Sequence, residues 1–264
     1  MTGMSLAAAN EVHPTAVIAP DVVLGEGSRI GPFAVLEAGV RLGRGNLLGA
    51  HCVLKTGTRL GNENHIHEHA VLGGTPQDFK FTGQESLLTV GDRNVFREGV
   101  TVHRGSREQA STVIGNDNFL MAYAHVAHDC VLADRIVMAN NAALAGEVQI
   151  EDQAFLSYGV GVHQFARIGK LAMIGGKTKV TQDVLPFFIT DGNPARVRGL
   201  NQVGLKRAGL APQDISALKC AFRTLLTSGL SLAEALLELR RSDSPHVSHL
   251  VAFLDGSERG FHRK

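Results

Sequence analysis

Between Ile30 and Leu48 the chain reads IGPFAVLEAGVRLGRGNLL, with its large apolar residues at Ile30, Leu36, Leu42 and Leu48, six apart. The spacing runs back through Leu24 and Ile18 to Val12 and forward through Leu54, Leu60 and Ile66 to Leu72. It resumes in the same phase at Val90, Phe96 and Val102, and again from Ile114 to Val180. Neither the 3.6-residue period of a helix nor the 2.0-residue period of a strand generates six. The following residue is often glycine (Gly25, Gly31, Gly43, Gly61), expected to relieve tight corners, and the fourth is usually small (Ala34, Cys52, Ala70, Ala142). One large and one small inward position per hexad predict an all-β solenoid. It is a parallel β-helix with three short strands and three corners per coil, so that eighteen residues climb one turn.

The repeat divides the 264 residues into a coil domain over 1–190 and a helical C-terminal domain over 191–264. Lys and Arg number 26 against 25 Asp and Glu. No global charge therefore argues for nucleic acid or a membrane surface. The N-terminus has no basic segment leading into an apolar run, and no apolar stretch approaches a transmembrane length, so a cytoplasmic protein is expected. Cys52, Cys130 and Cys220 read as buried small hydrophobes in a reducing compartment.

Asp78, Gln84 and Glu108 fall where the period demands an inward apolar residue. Unpaired in a core, each would cost roughly several kcal/mol. Segments 74–88 and 104–112 are therefore expected to loop out of the coil, the first carrying Pro76-Gln77-Asp78-Phe79-Lys80-Phe81. After Pro186 the hexads stop, and Asp191-Gly192-Asn193-Pro194-Ala195 reads as a turn leaving the coil. Helices are predicted over about 199–208, 212–228, 231–241 and 245–254, with Ser231 and Glu234 as a capping box.

The nine histidines of the coil region avoid both inward slots and are expected to point outward. Eighteen-residue stacking places Gly146 one coil above His128 and His163 about two coils above, with His103 and His125 approaching the same stripe from below. A column of imidazoles suits general-base catalysis on a hydroxyl, because histidine accepts a proton near neutral pH. Asp129, next to His128, is positioned to orient its ring. Metal binding is the rival use of such imidazoles, as in the gamma-class carbonic anhydrases, but the His125 and His128 spacing spreads the pair around a corner.

Several segments together resemble the acyl-(acyl-carrier-protein):UDP-N-acetylglucosamine O-acyltransferases of lipid A biosynthesis. They are Gln77-Asp78-Phe79-Lys80, Gly91-Asp92-Arg93-Asn94, Val102-His103-Arg104-Gly105, Ala124-His125-Val126-Ala127-His128-Asp129-Cys130, Val162-His163-Gln164-Phe165 and Gly204-Leu205-Lys206-Arg207. The resemblance runs in order over nearly the whole chain. It implies a left-handed β-helix, an exception to the right-handed crossover rule, and a homotrimer with active sites between subunits. It also implies transfer of an (R)-3-hydroxyacyl group from acyl carrier protein to the 3-hydroxyl of UDP-N-acetylglucosamine, without metal or bound cofactor.

On that resemblance His128 is the general base, Asp129 orients it and the Gly146 N–H stabilises the oxyanion. Asp78 and Lys80 would contact sugar and phosphates, with His125 nearby and His103 on the acyl or carrier side. His163 and Gln164 would line the same cleft, and Asn201 and Arg207 would meet the nucleotide or the carrier's phosphopantetheine. Gly176 stands where the family measures acyl length, and glycine leaves room for a longer chain. The run Arg196, Arg198, Lys206 and Arg207 independently suits a phosphate or an acidic partner. Three positions depart from the family's common pattern: Glu147 replaces a histidine, Val203 an acid and Ala208 a second arginine. Of these, Glu147 bears most on the acceptor, because a carboxylate there favours a 3-amino sugar. Two other readings fit the coil, a coenzyme A-dependent acetyltransferase, in view of Gly192-Asn193-Pro194-Ala195, and a non-catalytic scaffold.

Overall fold

The computed structural model describes residues 9–263. The first eight residues, part of the expected coil domain and of the N-terminus read as lacking a leader, lie outside that range. From Glu11 to Val180 the chain forms short parallel strands that fall in rotation on three sheets. The large apolar residue of each hexad is the inward residue of its strand. Leu36, Leu54, Leu72, Val102, Val126, Leu144 and Val162 stack along one face and are 4% exposed or less. These residues and their counterparts on the other two faces make one continuous core.

Register explains why the hexad phase survives its interruptions. Leu48 pairs with Ile66 at the usual separation of eighteen, Ile66 with Phe96 at thirty and Phe96 with Leu120 at twenty-four. The two loops thus insert twelve and six residues beyond a full coil, both whole numbers of hexads. They leave the coil between the strands Val71–Gly74 and Leu87–Val90 and between Thr101–His103 and Ser111–Ile114. Asp78 and Gln84 are half-buried and Glu108 is exposed, clear of the core.

The glycines that follow the apolar residue do not supply the corner conformation that the sequence suggested. Left-handed backbone falls two residues later, at Phe33 (φ 57°), His51 (58°), Asp129 (59°) and Glu147 (61°), mostly without glycine. The regular spacing of the glycines instead reflects close approach between coils. A Cβ on Gly61 would lie 2.7 Å from the Gly91 carbonyl oxygen of the next coil. Inside a corner the small slot also holds a ladder of buried asparagines. Asn64 Nδ2 donates to Asn46 Oδ1 (3.1 Å), Asn94 Nδ2 to Asn64 Oδ1 (3.0 Å), and the Asn118 and Ile136 N–H groups continue it to Asn94 and Asn118 Oδ1.

The coil exit is a hairpin. Phe188–Asp191 extends the first sheet and Arg196–Leu200 returns antiparallel to it, so the helix expected from 199 begins only at Gln202. Four helices follow, α1 (Gln202–Arg207), α2 (Pro212–Leu226), α3 (Leu232–Leu239) and α4 (Pro245–Asp255). The Ser231 hydroxyl and Glu234 carboxylate form the expected capping box on α3. A second core joins Leu185, Phe187 and Phe188 to Leu205, Leu218, Leu250 and Phe253. Cys52 and Cys130 are buried, with thiols pushed by burial up to about 12, whereas Cys220 is exposed on α2, against expectation. No helix among the described residues is long and apolar enough to cross a membrane.

Candidate active site

Corner geometry carries the chemistry. Three strands of one face, His125–Val126, Ala143–Leu144 and Gly161–Val162, lie side by side and each ends at a corner. Those corners deliver His128, Gly146 and His163 into a cleft of about 530 Å3, whose lining also includes His103, His125, Gln164, Gln77 and Lys179. Six of the residues singled out in the sequence are therefore brought together. Their expected outward direction holds only relative to the coil axis, since His103 is 8% exposed and His125 and His128 are half-buried.

Asp129 lies behind His128, its side chain almost fully buried. His128 Nδ1 is 2.8 Å from Asp129 Oδ2. The carboxylate also accepts from the Ser106 hydroxyl (2.6 Å) and the Ser106 N–H (3.1 Å), while the Asp129 N–H donates to Thr112 Oγ1 (2.8 Å). Burial pushes the Asp129 carboxyl up, but the Ser106 and His128 hydrogen bonds and the Arg107 charge together bring it below its ordinary value. An ionised carboxylate only accepts, so Nδ1 must carry the shared proton. In the neutral ring Nε2 is then a bare acceptor.

Gly146 lies against the His128 ring, where a Cβ would come within 2.6 Å of Cε1 and 2.8 Å of Nε2. Only glycine allows that approach. The backbone ladder passes through the Ala145 and Glu147 N–H groups on either side, and the Gly146 N–H takes no backbone partner among the described residues. A proton acceptor and a free amide donor thus sit together, the arrangement a nucleophilic hydroxyl and a developing oxyanion require.

Burial biases two neighbouring imidazoles, His103 and His125, towards the neutral form. Burial, with help from His125 and His128, pushes His103 down to about 4, and burial lowers His125. His103 stands edge-on to His125 with ring centroids 4.8 Å apart, and Thr101 Oγ1 is 2.7 Å from His125 Nδ1. Among the described residues the one grouping of three side chains with metal-ligand spacing is His67, Glu68 and Glu98. None of these lines the cleft, and Arg97 already pairs with Glu98 at 2.8 Å.

The remaining expected residues lie outside this chain's cleft. Asp78 and Lys80 follow Gln77 on the long loop, where Asp78 Oδ1 accepts from the Lys80 N–H at 2.9 Å. Gly176 has room for a methyl group, which would come no nearer than 3.5 Å to the Tyr158 carbonyl oxygen. Asn201 is buried and caps α1, accepting from the Gly204 N–H (3.1 Å) and donating to the Leu171 carbonyl (2.9 Å), while Arg207 is exposed in the helix's last turn. Glu147 sits on the outside of the corner, paired with Arg107 at 2.8 Å. Sequence reasoning missed Ser106, Arg107 and Thr112. Their one signal was the break in the repeat over 104–112.

Comparison with known proteins gives the family. Residues 183–262 match the family model for domain 2 of UDP N-acetylglucosamine O-acyltransferase. The acyl-(acyl-carrier-protein):UDP-N-acetylglucosamine O-acyltransferase of Gloeothece citriformis is 50% identical over 188 residues, 71% of this chain and 68% of the relative. The Burkholderia orbicola enzyme of that name is 42% identical over 200 residues, 73% and 76% of the two chains. Among solved structures, the Bacteroides fragilis UDP-N-acetylglucosamine acyltransferase superposes with a TM-score of 0.93 at 37% identity, over 96% of this chain and 100% of that one. The Francisella novicida enzyme gives 0.93 at 32% identity, over 96% and 94%. The solenoid is the left-handed β-helix of these structures, and the chain belongs to the UDP-N-acetylglucosamine O-acyltransferase family.

Proposed function

We propose that this protein transfers an (R)-3-hydroxyacyl group from acyl carrier protein to the 3-hydroxyl of UDP-N-acetylglucosamine, the first step of lipid A assembly, in the cytoplasm. The observation that carries the reading is the bare His128 Nε2 beside the free Gly146 N–H, with Asp129 fixing the ring behind them. His128 takes the proton from the sugar hydroxyl as its oxygen forms a bond to the thioester carbonyl carbon. The Gly146 N–H holds the oxyanion. As the C–S bond breaks, the carrier thiolate leaves and takes the proton from the imidazolium, so the step balances with no cofactor consumed.

His125, His103, His163 and Gln164 line the acceptor and acyl-chain path. Asp78, Lys80 and Arg207 lie off the cleft of one chain, which supports a homotrimer in which neighbouring subunits complete the sugar, phosphate and carrier contacts. The room around Gly176 suits a long acyl chain. Because Arg107 neutralises Glu147, the hydroxyl acceptor is favoured over the 3-amino sugar.

Purified protein assayed with UDP-N-acetylglucosamine, its 3-amino analogue and a panel of (R)-3-hydroxyacyl carrier proteins tests this. His128→Ala should lower turnover by about 10² to 10⁴ and leave the melting temperature nearly unchanged. Wild-type silence with every carrier-protein donor, or full activity in the variant, would overturn the assignment.

A further inference from the structure

Asp129 and Glu147 occupy the same corner of successive coils, both with left-handed backbone, and the Glu147 N–H donates to the His128 carbonyl at 3.0 Å. Two carboxylates are therefore stacked beside the base. Arg107, from the loop between Thr101–His103 and Ser111–Ile114, reaches over both. Its Nη1 is 2.8 Å from Glu147 Oε1, and its Nη2 is 3.8 Å from Asp129 Oδ1, too long for a hydrogen bond. The guanidinium has been drawn to the outer carboxylate and away from the inner one. Ser106, the residue before it, keeps Asp129 hydrogen-bonded.

We propose that Arg107 and Glu147 form a positioning pair that sets the proton affinity of His128 through Asp129, with Glu147 holding the Arg107 charge off the carboxylate that orients the base. The inference rests on the reading of His128 as that base. It gives Glu147 a physical role at the site. A neutral side chain there would leave Arg107 free to pair with Asp129 and weaken its pull on the imidazolium. With Glu147 present the pair is locally neutral, and Asp129 acts on His128 at nearly full charge.

The other charged and titratable groups facing the cleft are His103 from the coil below, His125 from the same coil as His128, His163 from two coils above and Lys179 beyond it. Arg107 makes its ion pairs with the two corner carboxylates rather than with any of these. His103, at about 4, stays neutral across the range in which an ordinary imidazole titrates.

The test is an NMR titration of the histidine rings in the full chain, with the His128 signal identified by its loss in His128→Gln. The series is wild type, Arg107→Ala, Glu147→Gln and the double variant, with the acid limb of kcat/KM measured beside it. Arg107→Ala leaves two unopposed carboxylates and should move the His128 titration up by about half a pH unit. Glu147→Gln should move it down by a similar amount, and the double variant should return close to wild type. Arg107→Lys should keep most of the wild-type position. The single-variant shifts should shrink at high salt, because Arg107 is largely solvent-exposed. A merely structural pair would disturb both single variants in one direction. Single variants that shift together or not at all, or a double variant that fails to return, would overturn the proposal. The titration needs no substrate, so a failure of acyl transfer would be seen separately.

Discussion

Ser106 stands one hydrogen bond further from the chemistry than Asp129. It gives the buried Asp129 carboxylate two hydrogen bonds, one of them a 2.6 Å hydroxyl contact, and Asp129 in turn fixes the His128 ring. A hydrogen bond to a charged group contributes on the order of 1.5–3 kcal/mol, part of it felt in the transition state, where the imidazolium forms. Ser106→Ala should therefore lower kcat about tenfold with little change in KM, and Ser106→Thr, which keeps the hydroxyl, should restore it. An unchanged kcat in the alanine variant would show that Thr112 and the Ser106 N–H hold Asp129 unaided. Eighteen-residue stacking was enough to set Gly146 above His128 and its neighbour Asp129, while the roles expected of them came from the family resemblance. Ser106 stayed hidden because the inserted hexad separates it from Asp129 by 23 residues, a distance no repeat rule connects. Asn201 was read as a ligand contact, yet both ends of its side-chain amide are occupied at the start of α1.

Each hexad places one short strand and one corner, the strand feeding the apolar stack and one corner of each coil the asparagine ladder. The large inward positions were readable throughout because both insertions are whole hexads, so Val90 and Ile114 keep the phase set at Val12. The corner chemistry was less readable. Glycine's permissive backbone suggested the turn itself, but the left-handed residue is two places on, and the glycine is needed for the neighbouring coil. The asparagine ladder escaped because Asn46, Asn64, Asn94 and Asn118 occupy a slot filled elsewhere by small or apolar residues, and a buried amide is tolerated only when its donors and acceptors are met, here by the coils above and below. Asn94 makes four such contacts: its N–H and Nδ2 donate to Asn64 Oδ1, Nδ2 also donates to the Gly115 carbonyl, and Oδ1 accepts from the Asn118 N–H. Asn94→Ala orphans groups on both sides and should destabilise the coil by about 2–4 kcal/mol in urea unfolding, while Asn10→Ala, at the exposed end, should cost little. Equal effects would mean that the ladder adds nothing beyond packing.

At the scale of the whole molecule, the helical tail is fastened to the coil by the second apolar core and, next to the cleft, by histidine and carboxylate groups. His249 on α4 meets Glu151 at 2.8 Å, Ser257 Oγ donates to Asp183 (2.7 Å), and Arg167 stacks on Phe253 with 4.2 Å to the ring centroid. The last turn of chain brings His262 back onto the coil, where its Nε2 accepts from the Thr181 and Gln182 N–H groups at 3.2 Å each. Thr181 lines the cleft, so tail and active site share this segment. Burial pushes His262 below its ordinary 6.5 despite the opposing Asp183 charge, and an Nε2 that accepts two hydrogen bonds cannot be protonated without losing both. The unfolded chain therefore binds that proton first. The stability His262 contributes is complete above about pH 6.5 and is lost as pH falls through the lower folded value. His103 and His125 have the same sign and share the window. Glu151 follows at lower pH: burial pushes it up, but the His249 hydrogen bond and the Lys170 N–H bring it below 4.5, so its contribution is present above 4.5 and lost beneath. Thermal unfolding followed from pH 7.5 to 5 should show a falling midpoint, and the fall should be shallower in His262→Gln, which cannot take up the proton. Limited proteolysis over the same range should release the tail earlier in wild type than in the variant. Identical slopes for the two proteins would place the acid sensitivity in the cleft histidines and remove the tail from the argument.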